Sequence, residues 1–114
     1  MKSLVVGYGS IGKRHVENLL LISNMEVIIC TKRKDIERVR KKCQIFRTLN
    51  DALKQNPDFA IISNVSNLHI STAIKIAKKS IDIFIEKPLS NSTKGVKELE
   101  DLVRKKKLIT MMGC

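Results

Sequence analysis

Three glycines near the start of the chain follow the spacing G-x-G-x-x-G. They are Gly7, Gly9 and Gly12, preceded by the apolar run Leu4–Val6 and followed by a helix-like stretch over 11–22. At this spacing the first glycine permits a tight turn, the second lets a pyrophosphate approach the backbone, and the third allows close packing of helix on strand. The diphosphate would bind the free N–H groups and the positive dipole end of the helix. The motif therefore predicts a strand, turn and helix that bind a dinucleotide.

Strand-like and helix-like segments alternate along the rest of the chain. The predicted strands are 3–6, 26–30, 45–46, 59–62, 82–85 and 108–112. The predicted helices are 11–22, 35–42, 50–55 (capped by Asn50), 69–79 and one that starts at Ser92 or Thr93. Parallel strands joined by crossover helices give right-handed connections. We expect an α/β fold, a doubly wound parallel sheet of about six strands in the order 3-2-1-4-5-6 with helices on both faces.

Length and composition limit the chain to one domain. With 114 residues, a second domain does not fit, and 43% hydrophobic against 4% aromatic residues suits a sheet buried on both faces. The short apolar runs predict neither a secretory signal nor a membrane span, so we expect a cytoplasmic protein. Cys30, Cys43 and Cys114 are widely spaced and predict neither a disulfide framework nor a metal site.

The net charge of +11 raises the question of nucleic-acid binding. The basic residues fall on predicted polar helix faces and last helical turns, where Lys and Arg complement the helix dipole. Aromatic residues that could stack on bases are not interleaved with them. Solvated helix faces are therefore the favoured interpretation, with non-specific attraction of anions and no specific nucleic-acid partner.

Three motifs in register resemble the N-terminal half of the Gfo/Idh/MocA oxidoreductase family. They are Gly7–His15, Ser63–His69 and Glu86–Ser90, of which the third, with Glu-Lys-Pro after strand five, is the most discriminating. The resemblance covers residues 1–114 and implies an NAD(P)-binding Rossmann domain. It implies hydride transfer between a nicotinamide and a sugar or polyol-like substrate. The family's C-terminal substrate and oligomerisation domain is expected to be absent, so the chain alone would be inactive.

The resemblance also implies roles for residues after strands four and five. Lys87 would contact the nicotinamide ribose and the substrate hydroxyl, Glu86 would steady the ribose side, and Pro88 would aim the lysine. Position at the carboxyl edge of a central strand independently favours Lys87, where partial burial would lower its pKa and suit proton exchange. The predicted cofactor-binding residues are Gly7, Tyr8, Gly9, Ser10, Ile11, Gly12, Thr31, Lys32, Arg33, Asn64, Ser66, His69, Glu86, Lys87 and Pro88.

Two histidines have open interpretations. His69 begins a predicted helix and is either packed at the helix N-terminus or placed near the nicotinamide. His15, one turn into the first helix, is expected to be structural and to face neighbouring loops.

The end of strand two bears on the choice between NADP and NAD. NAD sites are expected to have a ribose-binding carboxylate about 20 residues beyond the glycine motif. Here the residues that follow strand two include no carboxylate until Asp35. Thr31 could donate a hydrogen bond to a 2′-phosphate, and Lys32 or Arg33 could supply charge. NADP is therefore favoured over NAD. The alternative interpretation of these basic residues is that they simply form an exposed turn.

A non-catalytic nucleotide-sensing module that acts through a partner protein is the alternative function. The Glu-Lys-Pro motif argues against it, because a sensor has no need of a lysine at the nicotinamide end. If a second domain normally covers the C-terminal edge, the surface around Met111, Met112 and Cys114 is expected to promote self-association.

Overall fold

A single parallel sheet organises the chain. The computed structural model describes residues 1–64, 68–86 and 95–112. The strand order is β3-β2-β1-β4-β5-β6, and every neighbouring pair is parallel. This arrangement confirms the predicted doubly wound α/β fold. The strands are β1 (Lys2–Val6), β2 (Glu26–Cys30), β3 (Gln44–Phe46), β4 (Phe59–Ile62), β5 (Asp82–Ile85) and β6 (Thr110–Met112).

Five helices connect the strands within the described residues. Among these residues, no helix is both long and apolar enough to cross a membrane. The predicted start of the last helix at Ser92 or Thr93 lies outside the described residues, and the described helix follows Gly95, which has a φ of +86°. The helices are α1 (Ser10–Leu20), α2 (Glu37–Arg40), α3 (Leu49–Leu53), α4 (His69–Ala77) and α5 (Val96–Lys106).

The sheet separates two hydrophobic layers. Alternate residues of each strand point to opposite faces, so Leu4 packs on the side of α3, α4 and α5, while Val5 packs on the side of α1 and α2. Both side chains are fully buried. Because the central strands are covered on both faces, they appear in the sequence as uninterrupted apolar runs.

Two short elements differ from the sequence prediction. The basic helix predicted over 35–42 is a single turn, α2, anchored in the core by Val39. Asp35 bonds to Arg33 in the preceding turn instead of starting the helix. The first helix ends at Leu20 rather than at Ile22, and Ile22 is half exposed.

The N-cap of α3 is Thr48, so the prediction of Asn50 is wrong. Thr48 has extended backbone angles, and its Oγ1 accepts a hydrogen bond of 3.2 Å from the N–H of Asp51. Asn50 lies inside the first helical turn, because the helix begins earlier than the sequence pattern indicated. A side-chain oxygen can satisfy an N–H of the first turn only from the position that precedes the helix.

We expect Thr48→Ala to lower the free energy of unfolding by about 1 kcal/mol, because an N–H of the first helical turn loses its acceptor. Asn50→Ala is the matched control and should change stability by less than about 0.5 kcal/mol. Urea unfolding followed by circular dichroism measures both. Equal losses for the two variants would contradict the assignment of the cap.

Candidate functional site

The turn between β1 and α1 depends on close approaches of main chain. Gly7 has a φ of +96°, and a Cβ there would lie 2.7 Å from the main-chain nitrogen of Asn64. A Cβ on Gly12 would lie 2.2 Å from the carbonyl oxygen of Gly7. The hydroxyl of Ser63 donates to the carbonyls of Val6 and Gly7, at 3.0 and 3.2 Å, and joins the ends of β4 and β1. The fold itself therefore requires Gly7 and Gly12.

Gly9 is different, because no contact with the described residues requires a glycine there. Its φ of −80° and ψ of −166° are open to any residue, and a Cβ would meet no atom of ranges 1–64, 68–86 and 95–112 within 4 Å. Gly9 precedes α1, whose first turn has neither a side-chain cap nor an acidic residue. The first N–H groups of a helix have no partner within it. As far as the described residues go, empty space thus coincides with N–H groups that lack a partner in the helix, at the positive end of α1, which is the arrangement that binds a diphosphate.

The other residues of the turn contribute in different ways. The side chain of Tyr8 is buried in the core on the α1 side, with the Lys13 ammonium 5.5 Å from its ring centre. Tyr8 can therefore offer only main-chain groups to a ligand at this turn. Ser10 and Ile11 are exposed in the first turn of α1, beside the space at Gly9.

We expect Gly12→Ala to cost roughly 3 kcal/mol of stability, because its Cβ would overlap the main chain of Gly7. Gly9→Ala is the matched variant in the same turn and should cost no more than about 1 kcal/mol. Thermal or urea unfolding distinguishes them. Similar stabilities for the two variants would contradict the prediction, because they would show that the turn accommodates a Cβ at position 12.

A cleft of about 520 Å³ extends from Gly7 beyond the carboxyl ends of the central strands. Four predicted site residues line it, namely Gly7, Thr31, Lys32 and Asn64. Sequence reasoning did not identify the remaining polar residues of its wall. These include Arg47 and Thr48 before α3 and Ser71 and Lys75 on α4.

The basic turn after β2 is ordered by an ion pair. Arg33 donates from Nε and Nη2 to the two carboxylate oxygens of Asp35, both at 2.9 Å. These bonds hold the pKa of Asp35 well below its ordinary value and raise that of Arg33. Thr31 is buried, and its Oγ1 accepts a hydrogen bond of 3.1 Å from the N–H of Arg33. The guanidinium of Arg33, predicted to contact a phosphate, is thus bound to a carboxylate, and Arg33 does not line the cleft.

Asn64 and His69 form a local hydrogen-bonded unit after β4. The Asn64 side-chain amide donates to Thr72 Oγ1 at 3.1 Å, and His69 Nε2 donates to the main-chain oxygen of Asn64 at 2.6 Å. His69 is only 2% exposed, and it does not line the cleft. This is the geometry of the packed histidine, one of the two interpretations left open by the sequence. Ser66 lies outside the described residues.

Glu86 follows β5 and contacts a histidine from the first helix. Its Oε1 lies 2.5 Å from Nε2 of His15, and both side chains are largely buried. The His15 ring also meets Phe84 edge-on, with centroids 5.9 Å apart. His15 therefore positions the carboxylate of Glu86, the first residue of the Glu-Lys-Pro motif, rather than simply facing neighbouring loops. Lys87 and Pro88 lie outside the described residues.

Comparisons with known proteins agree with this geometry. The family model described as "Oxidoreductase family, NAD-binding Rossmann fold" (Gfo/Idh/MocA) matches residues 1–114. Myo-inositol 2-dehydrogenase of Thermotoga maritima is 26% identical over 119 residues, covering 99% of this chain and 36% of that protein. The chain thus spans about a third of the length of this curated relative.

Solved structures share the fold. Myo-inositol 2-dehydrogenase from Lactobacillus plantarum superposes with a TM-score of 0.88 at 20% identity, over 99% of this chain and 36% of the other. GenD2 from gentamicin A biosynthesis, solved in complex with NAD, gives a TM-score of 0.84 at 22% identity, over 99% and 34%.

Proposed function

Because the chain belongs to the Gfo/Idh/MocA family of oxidoreductases, we propose that its NAD-binding Rossmann fold is the cofactor-binding part of a sugar or polyol dehydrogenase. The nicotinamide would supply the hydride acceptor for a carbinol carbon. A relative that acts on an inositol supports the substrate class. The chain's own residues would bind the dinucleotide, orient it at the sheet edge and move the alcohol proton.

The observation that best supports cofactor binding is that no contact in the described part of the chain calls for a glycine at position 9. Its backbone angles suit every residue, and the described residues leave the space around it empty. A side chain here would be accommodated by the protein but would obstruct a ligand on the first turn of α1. The residues present therefore fit a diphosphate held by main-chain N–H groups.

At the nicotinamide end, we assign the proton-transferring role to Lys87. It directly follows Glu86, which pairs with Ile62 through the main chain at the end of β5. His15, which lies on α1, positions the carboxylate of Glu86. A lysine at the carboxyl edge of the sheet can accept a proton from a substrate hydroxyl when it is deprotonated.

We propose NADP as the preferred cofactor. The cleft lining includes Lys32, Arg47 and Lys75, and within the described part of the chain it includes no Asp or Glu. Asp35, the first carboxylate after β2, bonds to Arg33 and Lys13 instead of lining the cleft. A cationic wall favours a 2′-phosphate, whereas a carboxylate would favour the free ribose hydroxyls of NAD.

Titration of the 114-residue chain with NADPH and NADH tests both parts of this proposal. We expect binding of both and tighter binding of NADPH. Gly9→Ala should remove most of the affinity for either, because its Cβ occupies the approach to the diphosphate, while the protein stays folded. Folded protein without affinity at millimolar dinucleotide would refute the function, and tighter NADH binding would refute the cofactor preference alone.

Lys87→Ala separates an enzyme from a nucleotide-sensing module. In an active protein that contains residues 1–114, we expect turnover to fall by about 10²-fold or more while dinucleotide affinity stays within a few-fold, because proton transfer is lost. Lys97→Ala, on α5, is a surface control that should leave both unchanged. Retained turnover would exclude Lys87 as the proton-transferring group.

Two expectations about the surroundings of the domain stay predictions. Self-association through the C-terminal edge is consistent with β6 as an edge strand and with Ile109, which is 62% exposed beside it. Cys114 lies outside the described residues. The cytoplasmic location rests on the sequence alone.

A further inference from the structure

Arg47 has the features of an anion-binding group whose orientation is already fixed. It lies in the turn between β3 and α3, and its Nη1 donates to the main-chain oxygens of Arg33 at 2.5 Å and Thr31 at 3.2 Å. These bonds fix the guanidinium across the turn that follows β2. An arginine whose orientation is already fixed loses less entropy when it binds a phosphate than a mobile one.

The charge of Arg47 is not neutralised by a carboxylate of the described residues. Its two acceptors are neutral carbonyls, and none of the ion pairs in ranges 1–64, 68–86 and 95–112 includes it. Within the same ranges its Nε and Nη2 groups have no hydrogen-bond acceptor. Arg33 differs, since its Nε and Nη2 already donate to Asp35, whose carboxylate offsets the charge of the guanidinium.

The position of Arg47 corresponds to the ribose end of a bound dinucleotide. With a diphosphate on the first turn of α1, the adenosine ribose of a dinucleotide would lie over the end of β2. Arg47 and Lys32 line the cleft at that end, and Lys75 lines it from α4. A phosphate on the ribose would meet these cations.

We propose that Arg47, rather than Arg33, is the residue that recognises a 2′-phosphate and so sets the preference for NADP. This inference rests on the proposed dinucleotide-binding function. Within the described residues, Nε and Nη2 of Arg47 have no acceptor and its charge has no carboxylate partner, whereas the charge of Arg33 is already offset by a bidentate carboxylate. Loss of one charge-assisted contact corresponds to roughly a ten- to hundredfold loss of affinity.

The test compares two probes on the 114-residue chain by calorimetry. Adenosine 2′,5′-bisphosphate has the recognised group, and adenosine 5′-monophosphate lacks it. We expect Arg47→Ala to lower the affinity for the bisphosphate at least tenfold and the affinity for the monophosphate less than twofold. Arg47→Lys should restore part of the loss, because it returns the charge without the planar fork. Arg33→Ala should change the bisphosphate affinity less than threefold.

The other outcomes overturn the inference in distinguishable ways. Equal weakening of both probes by Arg47→Ala would mean that Arg47 only supports the turn after β2, and thermal unfolding of the variant would show that directly. A larger effect of Arg33→Ala would return the role to Arg33. Inorganic phosphate that binds as tightly as the bisphosphate would indicate a general anion site. Folded protein that binds neither nucleotide would refute the proposed function itself.

Discussion

The contact between the carbonyl of Gly7 and the backbone of Gly12 determines how the first strand leads into the first helix. There is no space for a side chain between them, and the Ser63 hydroxyl ties the same carbonyl to the end of β4. Because β1 and β4 are the central neighbours of the sheet, this junction fixes the edge at which their carboxyl ends meet. The N-terminus of α1 is thereby placed at the same edge as Gly7, which lines the cleft.

The strand order was predictable because it depends on local patterns and general rules of chain connection. Apolar runs between helix-like segments identify buried parallel strands, and right-handed crossovers leave few topologies. The boundaries of short helices were less predictable. Thr48 and Asn50 are both good capping residues two positions apart, and only the observed path of the chain shows which one precedes the helix. Similarly, the ion pair of Asp35 with Arg33 leaves α2 as one turn, although the sequence pattern suggested two.

The main-chain parts of the candidate site can be recognised in the sequence more readily than its side-chain contacts. Gly7, Gly9 and Gly12 belong to one short segment, so their spacing alone indicates their roles. Arg47 meets the main chain of Thr31 from 16 residues away, and His15 meets Glu86 from 71 residues away. Such pairs arise from tertiary packing and leave no periodic signal in a single sequence. The position of Arg47 after β3 was the only available clue, since β3 neighbours β2 in the predicted order.

The difference between the main-chain and side-chain parts of the site affects how cofactor preference can vary while the fold stays the same. The diphosphate would be bound by N–H groups of α1, and the placement of that helix depends on Gly7 and Gly12, which the fold itself restricts. The ribose end would depend on exposed side chains in turns, such as Lys32 and Arg47, whose replacement removes no buried apolar surface. Arg47 can therefore be exchanged at little cost to the core, whereas Gly7 and Gly12 cannot. On the proposed role of Arg47, selectivity for the phosphate would thus be set by residues outside the glycine motif, in the turns that follow β2 and β3.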